Sequence, residues 1–255
     1  LLQGAYNFIF VMTPERLSNL LSMFPNIDLR MVFIDEAHKI TKEDNRSIYY
    51  YECISSLINK IGKCSFIFAS PNIPNPEVFF GLFAGRCTKP LPFPTDYSPV
   101  TQFKYLVDIP NKKLYYYNPH SKDLNTLCTV KNEPHLILLI NILGHKQQNL
   151  VYINSREGVV TSARNYAGTV DNLNDPVLDQ FANDIAEEIH PKFFLCELIK
   201  KGIAYHVGYL PHDIKTKIEK YYKEGLIKTI FCTSTLNEGV NLPADNLFVT
   251  NYKNG

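Results

Sequence analysis

The chain has 255 residues, 45% of them hydrophobic, with Lys plus Arg at 26 against 25 for Asp plus Glu and a formal charge of +1. That length allows one large or two medium domains with ordinary cores. The balanced charge excludes a bulk attraction for a polyanion, so any nucleic-acid site has to be local. The six cysteines (Cys53, Cys64, Cys87, Cys128, Cys196, Cys232) are scattered, with no Cys-x-x-Cys pair and no His at metal-ligand spacing. Zinc and a disulfide framework are therefore not suggested, and reduced thiols in a cytosolic protein fit best. The longest apolar run, at 136–143, is interrupted by Asn141 and is too short to span a bilayer, so no membrane partner is expected. The chain opens on Leu1 without a Met and closes at Gly255 just after a strand-like run, which reads as a chain cut at both ends.

Phe8 to Met12 reads as a first apolar strand. Thr13-Pro14-Glu15-Arg16 then marks a helix start, with Thr13 as N-cap and Pro14 at the first helical position. Leu17, Leu20, Leu21 and Phe24 recur at helical spacing and give that helix one inward face. Next comes Met31-Val32-Phe33-Ile34, four apolar residues that read as a strand covered on both faces, followed at once by Asp35-Glu36-Ala37-His38. An open α/β sheet places its ligands past the carboxyl ends of its strands. An acid pair there can hold a hydrated Mg²⁺ through Asp35, with Glu36 beside it to orient the water that attacks a phosphoryl group. His38 is placed to report the state of such a site to the next loop. The plainer alternative is a solvated turn in which Asp35, Glu36 and Lys39 are surface charges. A second helix is expected over 47–60, stopped by Gly62, and a third strand over 65–69, ending in Ser70-Pro71-Asn72.

Strand, helix, strand, helix, strand with short connections is the pattern of a parallel sheet with crossover helices, which sets the first domain at residues 1–98. Four prolines between Pro90 and Pro99 begin an interdomain connection at 99–133, within which 103–109 and 113–117 read as an antiparallel pair. A second domain is expected over 134–255. It starts with an apolar helix at 136–143, a strand at 150–153 and a turn through Asn154, Ser155, Arg156, Glu157 and Gly158. Leu178, Phe181, Ile185 and Ile189 are spaced for one helix face, and Asp184, Glu187 and Glu188 fall on its solvated side. Strands at 202–205, 227–232 and 247–250 and a helix at 211–224, stopped by Gly225, complete the alternation. A hydroxyl-rich stretch, Thr233 to Pro243, hangs from the strand at 227–232.

The order of these motifs resembles a superfamily-two DExH-type helicase motor of the Superkiller-like group, over nearly the whole chain. The resemblance implies an α/β fold of two RecA-like domains with mostly parallel sheets, both truncated here at the chain ends. It implies ATP and Mg²⁺ as cofactors, and single-stranded or partly duplex DNA or RNA as the partner. Asp35 and Glu36 would be the metal-binding and water-activating carboxylates and His38 the coupling residue. Ser70 and Asn72 stand where the family has Ser-Ala-Thr, with Pro71 and Asn72 as departures. Thr13, Pro14 and Arg16 match a nucleic-acid contact at a helix start. Asn154, Ser155 and Arg156 stand where the family grips phosphates, His206 and Gly208 match a recurring turn, and Thr233 and Thr235 would offer hydroxyls to the strand. Glu238, Gly239 and Asn241 would border the nucleotide. The phosphate-cradling Gly-x-x-x-x-Gly-Lys-Ser/Thr loop and the arginine-finger motif have no counterpart in the sequence, which suits a fragment that hydrolyses ATP poorly alone. A helicase-like binding module without a motor, and a nucleotide-binding α/β protein without nucleic acid, are the alternatives.

Overall fold

The computed structural model describes residues 8–41, 47–60, 64–71, 75–83, 91–93, 95, 101–131, 133–236 and 242–251. The chain divides into two compact units, Leu1–Pro99 and Val100–Gly255.

In the first unit the chain runs from Phe8 to Met12 into helix α1 (Pro14–Met23), and no strand pairs with it among the described residues. The expected strand is absent because apolar, β-prone side chains form one only where a neighbour takes up the backbone hydrogen bonds. Ile9 and Val11 are accordingly exposed, while Phe8 and Phe10 stack on each other with ring centroids 6.0 Å apart. α1 begins with Pro14 in its first turn and Glu15 near the positive end of its dipole, yet Thr13, in the N-cap position, makes no side-chain capping bond.

Strands β1 (Met31–Ile34) and β2 (Ser65–Phe68) pair in parallel, with Met31 opposite Ser65 and Ile34 opposite Phe68, and helix α2 (Ser47–Lys60) connects them. Val32, Ile34, Phe66 and Phe68 pack against Leu21 of α1, Ile54 and Leu57 of α2 and Phe79. Phe79 belongs to a 3-10 stretch at Pro76–Phe83 and lies nearly parallel to Phe68, 5.1 Å away. The other face is open: Met31 and Phe33 are each 60% exposed. An unbroken apolar run cannot say which face is covered, and among the described residues the helices pack against the Val32 and Ile34 side. Gly62, expected to stop α2, lies outside the described residues.

The second unit opens with an antiparallel meander of β3 (Lys104–Asp108), β4 (Lys113–Asn118) and β5 (Asp123–Thr129), with an irregular register between Leu114 and Tyr115. The sequence predicts only its first two strands. Every residue of β5 is exposed, so no alternation of apolar and polar side chains marks it.

The larger part of the unit is a four-stranded, all-parallel sheet in the order β7-β8-β6-β9, built from β6 (Asn149–Tyr152), β7 (Ile203–His206), β8 (Thr229–Cys232) and β9 (Asn246–Val249). Its helices are α3 (Leu136–Leu143), α4 (Arg156–Ala167), α5 (Pro176–Glu188), α6 (Phe194–Ile199) and α7 (His212–Lys223). β7 and β8 are buried along their whole length, and their side chains join Val159, Leu178, Phe181, Ile185, Ile214 and Ile218 in one core. α5 buries Leu178, Phe181 and Ile185 as its spacing predicts, while Ile189 falls at the C-cap and is partly exposed. Asp184 faces outward, held by Lys217 at 2.9 Å. α4 and α6 are not anticipated by sequence: α4 has Gly158, Val159 and Val160, poor helix formers, directly after its first two residues, and α6 has only six residues. What fixes α4 is packing, since Val159, Ala163 and Tyr166 recur at helical spacing and are all buried.

Candidate functional site

Past the end of β1 the backbone makes a short excursion that the ladder to β2 brackets. The Ala69 N–H donates to the Ile34 carbonyl and the Ala37 N–H to the Ala69 carbonyl, each at 2.9 Å, so Asp35 and Glu36 are held between two fixed points. Glu36 takes φ +53°, a left-handed conformation that costs a non-glycine residue about 1 kcal/mol or more. Its N–H donates to Asp35 Oδ1 at 2.9 Å, which leaves Oδ2 of the exposed Asp35 pointing away from that bond.

The same turn presents His38, at the start of a 3-10 stretch spanning Ala37–Thr41. Its Nε2 lies 3.3 Å from Glu36 Oε2 and its Nδ1 3.0 Å from Ser70 Oγ, just past the end of β2. One imidazole thus touches both the proposed water-activating carboxylate and the first residue of the proposed coupling loop. Ser70 Oγ is also 3.3 Å from the Pro71 carbonyl. The hydroxyl proton can be given to Nδ1 when the ring carries its proton on Nε2 toward Glu36, or to Pro71 when Nδ1 itself is a donor. Asn72 lies outside the described residues. Thr13, Pro14 and Arg16 belong to another part of the unit, the first turn of α1, where the Pro14 carbonyl accepts from Cys53 Sγ of α2 at 3.3 Å. Thr13 and Arg16 are exposed there. Burial pushes the Cys53 thiol up to about 11, with Glu52 and Glu15 adding to the effect, so it stays protonated.

In the second unit the parallel sheet puts the carboxyl ends of its strands on one edge, and the expected residues fall along it. Asn154, Ser155 and Arg156 follow β6 and are exposed. Ser155 caps α4, its Oγ accepting from the Gly158 N–H at 3.1 Å, and a Cβ on Gly158 would sit 2.6 Å from that oxygen. The hydroxyl proton and the guanidinium of Arg156 are therefore displayed at a helix start, beside backbone N–H groups. Gly208 follows β7 and is exposed, whereas His206 is 3% exposed and does not meet solvent. Its Nε2 bonds Glu219 Oε1 of α7 at 3.1 Å, and its Nδ1 is buried with no hydrogen-bond partner among the described residues. Protonation would put an unpaired N–H in that place, and burial outweighs the opposing pull of Glu219, so the ring is held below its usual 6.5. His206 ties α7 to β7 instead of touching a ligand. Its carbonyl also accepts from the Thr233 N–H at 3.4 Å, the first residue after β8. Thr233 is buried and Thr235 lies in a 3-10 turn at Ser234–Leu236; Glu238, Gly239 and Asn241 lie outside the described residues.

Sequence reading misses Glu219 as the partner of His206. The signal was a carboxylate next to Ile218, on the flank of the face that α7 buries through Ile214, Ile218 and Tyr222. Among the described residues no group of three or more His, Cys, Asp or Glu could hold a metal ion, and no helix is long and apolar enough to cross a membrane.

No family model matches the chain. It is 26% identical, over 98% of its length, to the ATP-dependent DNA helicase Hel308 of Caldivirga maquilingensis, of which it covers 33%. To the RQC trigger complex helicase SLH1 of Saccharomyces cerevisiae it is 32% identical over 44% of its length, covering 6% of that protein. The chain thus spans about a third of the Hel308 protein and far less of SLH1. A solved structure of the DUF1998 helicase MrfA bound to DNA superposes with a TM-score of 0.50 at 20% identity, covering 94% of this chain and 30% of that one, and shares its α/β fold with parallel sheets.

Proposed function

We propose that this chain, which fits a fragment of a Superkiller-like superfamily-two helicase, belongs to an ATP-dependent motor that moves along single-stranded or partly duplex nucleic acid. The observation that carries the reading is the Glu36–His38–Ser70 contact at the ends of two parallel strands. It joins a water-orienting carboxylate to the loop that would answer to phosphate state, in a chain related to Hel308 along nearly its whole length.

In this reading Glu36 orients the attacking water, with its Oε2 3.3 Å from His38 Nε2. Asp35 supplies a hard oxygen donor at a strand end. One exposed carboxylate, without an all-protein cage around it, suits Mg²⁺, which keeps most of its waters and its bonds to substrate phosphates. When bound, the ion would neutralise charge on the β- and γ-phosphate oxygens. His38 exchanges its contact with Glu36 as that carboxylate engages water, and Ser70 feels the change through Nδ1. Glu238, Gly239 and Asn241 are assigned to the nucleotide by resemblance alone. Strand phosphates are assigned to Thr13, Pro14 and Arg16 in the first unit and, in the second, to Asn154, Ser155, Arg156, Gly208, Thr233 and Thr235. The free thiols, several of them buried, support a reducing compartment, cytoplasmic or nuclear.

The test is ATP turnover by the full-length parent with and without single-stranded nucleic acid. Stimulated turnover is expected, with a loss of about a hundredfold or more in Glu36→Gln and strand binding retained. Unstimulated turnover that ignores Glu36→Gln would remove the reading.

A further inference from the structure

The groups assigned above to strand phosphates on the carboxyl edge of the second unit are hydroxyls, a guanidinium and backbone N–H groups, and none of them is an aromatic ring. Among the described residues of the loops that follow β6, β7, β8 and β9, Tyr209 alone carries an aromatic ring past the strand ends. It sits in a tight turn closed by the Leu210 N–H donating to the Val207 carbonyl at 3.2 Å. Both ends of that turn are anchored in the core, Val207 at 0% and Leu210 at 3% exposure, while Tyr209 between them is 53% exposed.

The ring is therefore outward but not loose. Its backbone is held between two buried neighbours. An aromatic side chain fixed in this way loses little freedom when a flat partner settles on it, which is what a stacking platform for unpaired bases requires. We infer that Tyr209 is the base-stacking residue of the carboxyl edge, taking one unpaired base of a strand whose phosphates lie against the Asn154–Arg156 loop. The inference rests on the strand-binding reading above and adds a contact to bases where that reading gives contacts to phosphate only. A stack of this kind tolerates any base, so it confers a preference for single strands over duplex, whose bases are already stacked, and no sequence preference.

The experiment is an anisotropy titration of the full-length parent with a labelled single strand and with an abasic strand of the same length, for wild type, Tyr209→Ala, Tyr209→Phe and Arg156→Ala. Thermal melts accompany it, since an exposed turn residue should leave folding unchanged. Tyr209→Ala is expected to weaken binding to the base-bearing strand by about 5- to 100-fold and to leave the abasic strand unaffected, while Tyr209→Phe keeps the ring and the affinity. Arg156→Ala should weaken both strands alike. If Tyr209→Ala binds the base-bearing strand as wild type does while Arg156→Ala weakens it, the stacking role is overturned and strand binding stands. An equal loss on both strands for Tyr209→Ala also overturns stacking. If wild type binds neither strand, the strand-binding reading falls and the stacking role with it.

Discussion

Asn149 opens β6 with its side chain buried in a knot of polar groups. Its Nδ2 lies 2.9 Å from the Gly144 carbonyl, 3.0 Å from the Gln147 carbonyl and 3.3 Å from Thr229 Oγ1, while its Oδ1 accepts from Asn246 Nδ2 at 3.0 Å. Asn149→Ala removes the donor shared by these groups, although the Gly144 carbonyl keeps the Gln147 N–H at 3.1 Å, and a denaturant titration should show a loss of about 1–3 kcal/mol. Gly144→Ala should be costly at the same place, because its Cβ would lie 2.5 Å from Asn149 Oδ1. His206 gives a pH signature. Its folded value lies below the unfolded 6.5, so the unfolded chain binds the extra proton in that window, and stability is present above pH 6.5 and falls as the pH drops toward the folded value. Melting temperature should decline on acidification through this range, and His206→Asn should flatten that slope while lowering the melting temperature at neutral pH. At this scale the acid pair was legible because it is a contiguous string at a strand end. The partners of His206 and Asn149 were not, since Glu219 and Asn246 are supplied by elements remote in sequence that only folding brings close.

Among the elements, the helices with an unbroken apolar stripe were the legible ones: the bounds expected for α2 and α3 are those observed. The misses have local causes. Phe8–Met12 has the side chains of a strand but no neighbour to pair with among the described residues, β5 lacks any apolar alternation, and α4 has a Gly-Val-Val run near its start. Ser155 separates two roles that the sequence merges, since it both caps α4 and stands among the expected phosphate contacts. Ser155→Ala should cost about 1 kcal/mol of stability through the lost cap. Ser155→Asp keeps the cap and its dipole interaction, so it should fold as wild type while its charge weakens strand binding; equal affinity for Ser155→Asp and wild type would take the loop away from the phosphates.

For the whole molecule, the chain divides into the units Leu1–Pro99 and Val100–Gly255, and the meander at residues 104–129 groups with the second. The near-neutral net charge means that strand affinity has to come from local contacts, so binding should fall with rising salt with a slope set by a few phosphates. A motor requires more than two binding sites: nucleotide state has to change the grip on the strand, and by linkage the strand has to change the grip on nucleotide. The measurement that reaches this directly is the single-strand affinity of the full-length parent without nucleotide, with a non-hydrolysable ATP analogue and with ADP. The account predicts that affinity differs between the ATP-like and ADP states by roughly 5- to 150-fold, and that His38→Ala shrinks the difference. The same affinity in all three states would contradict it.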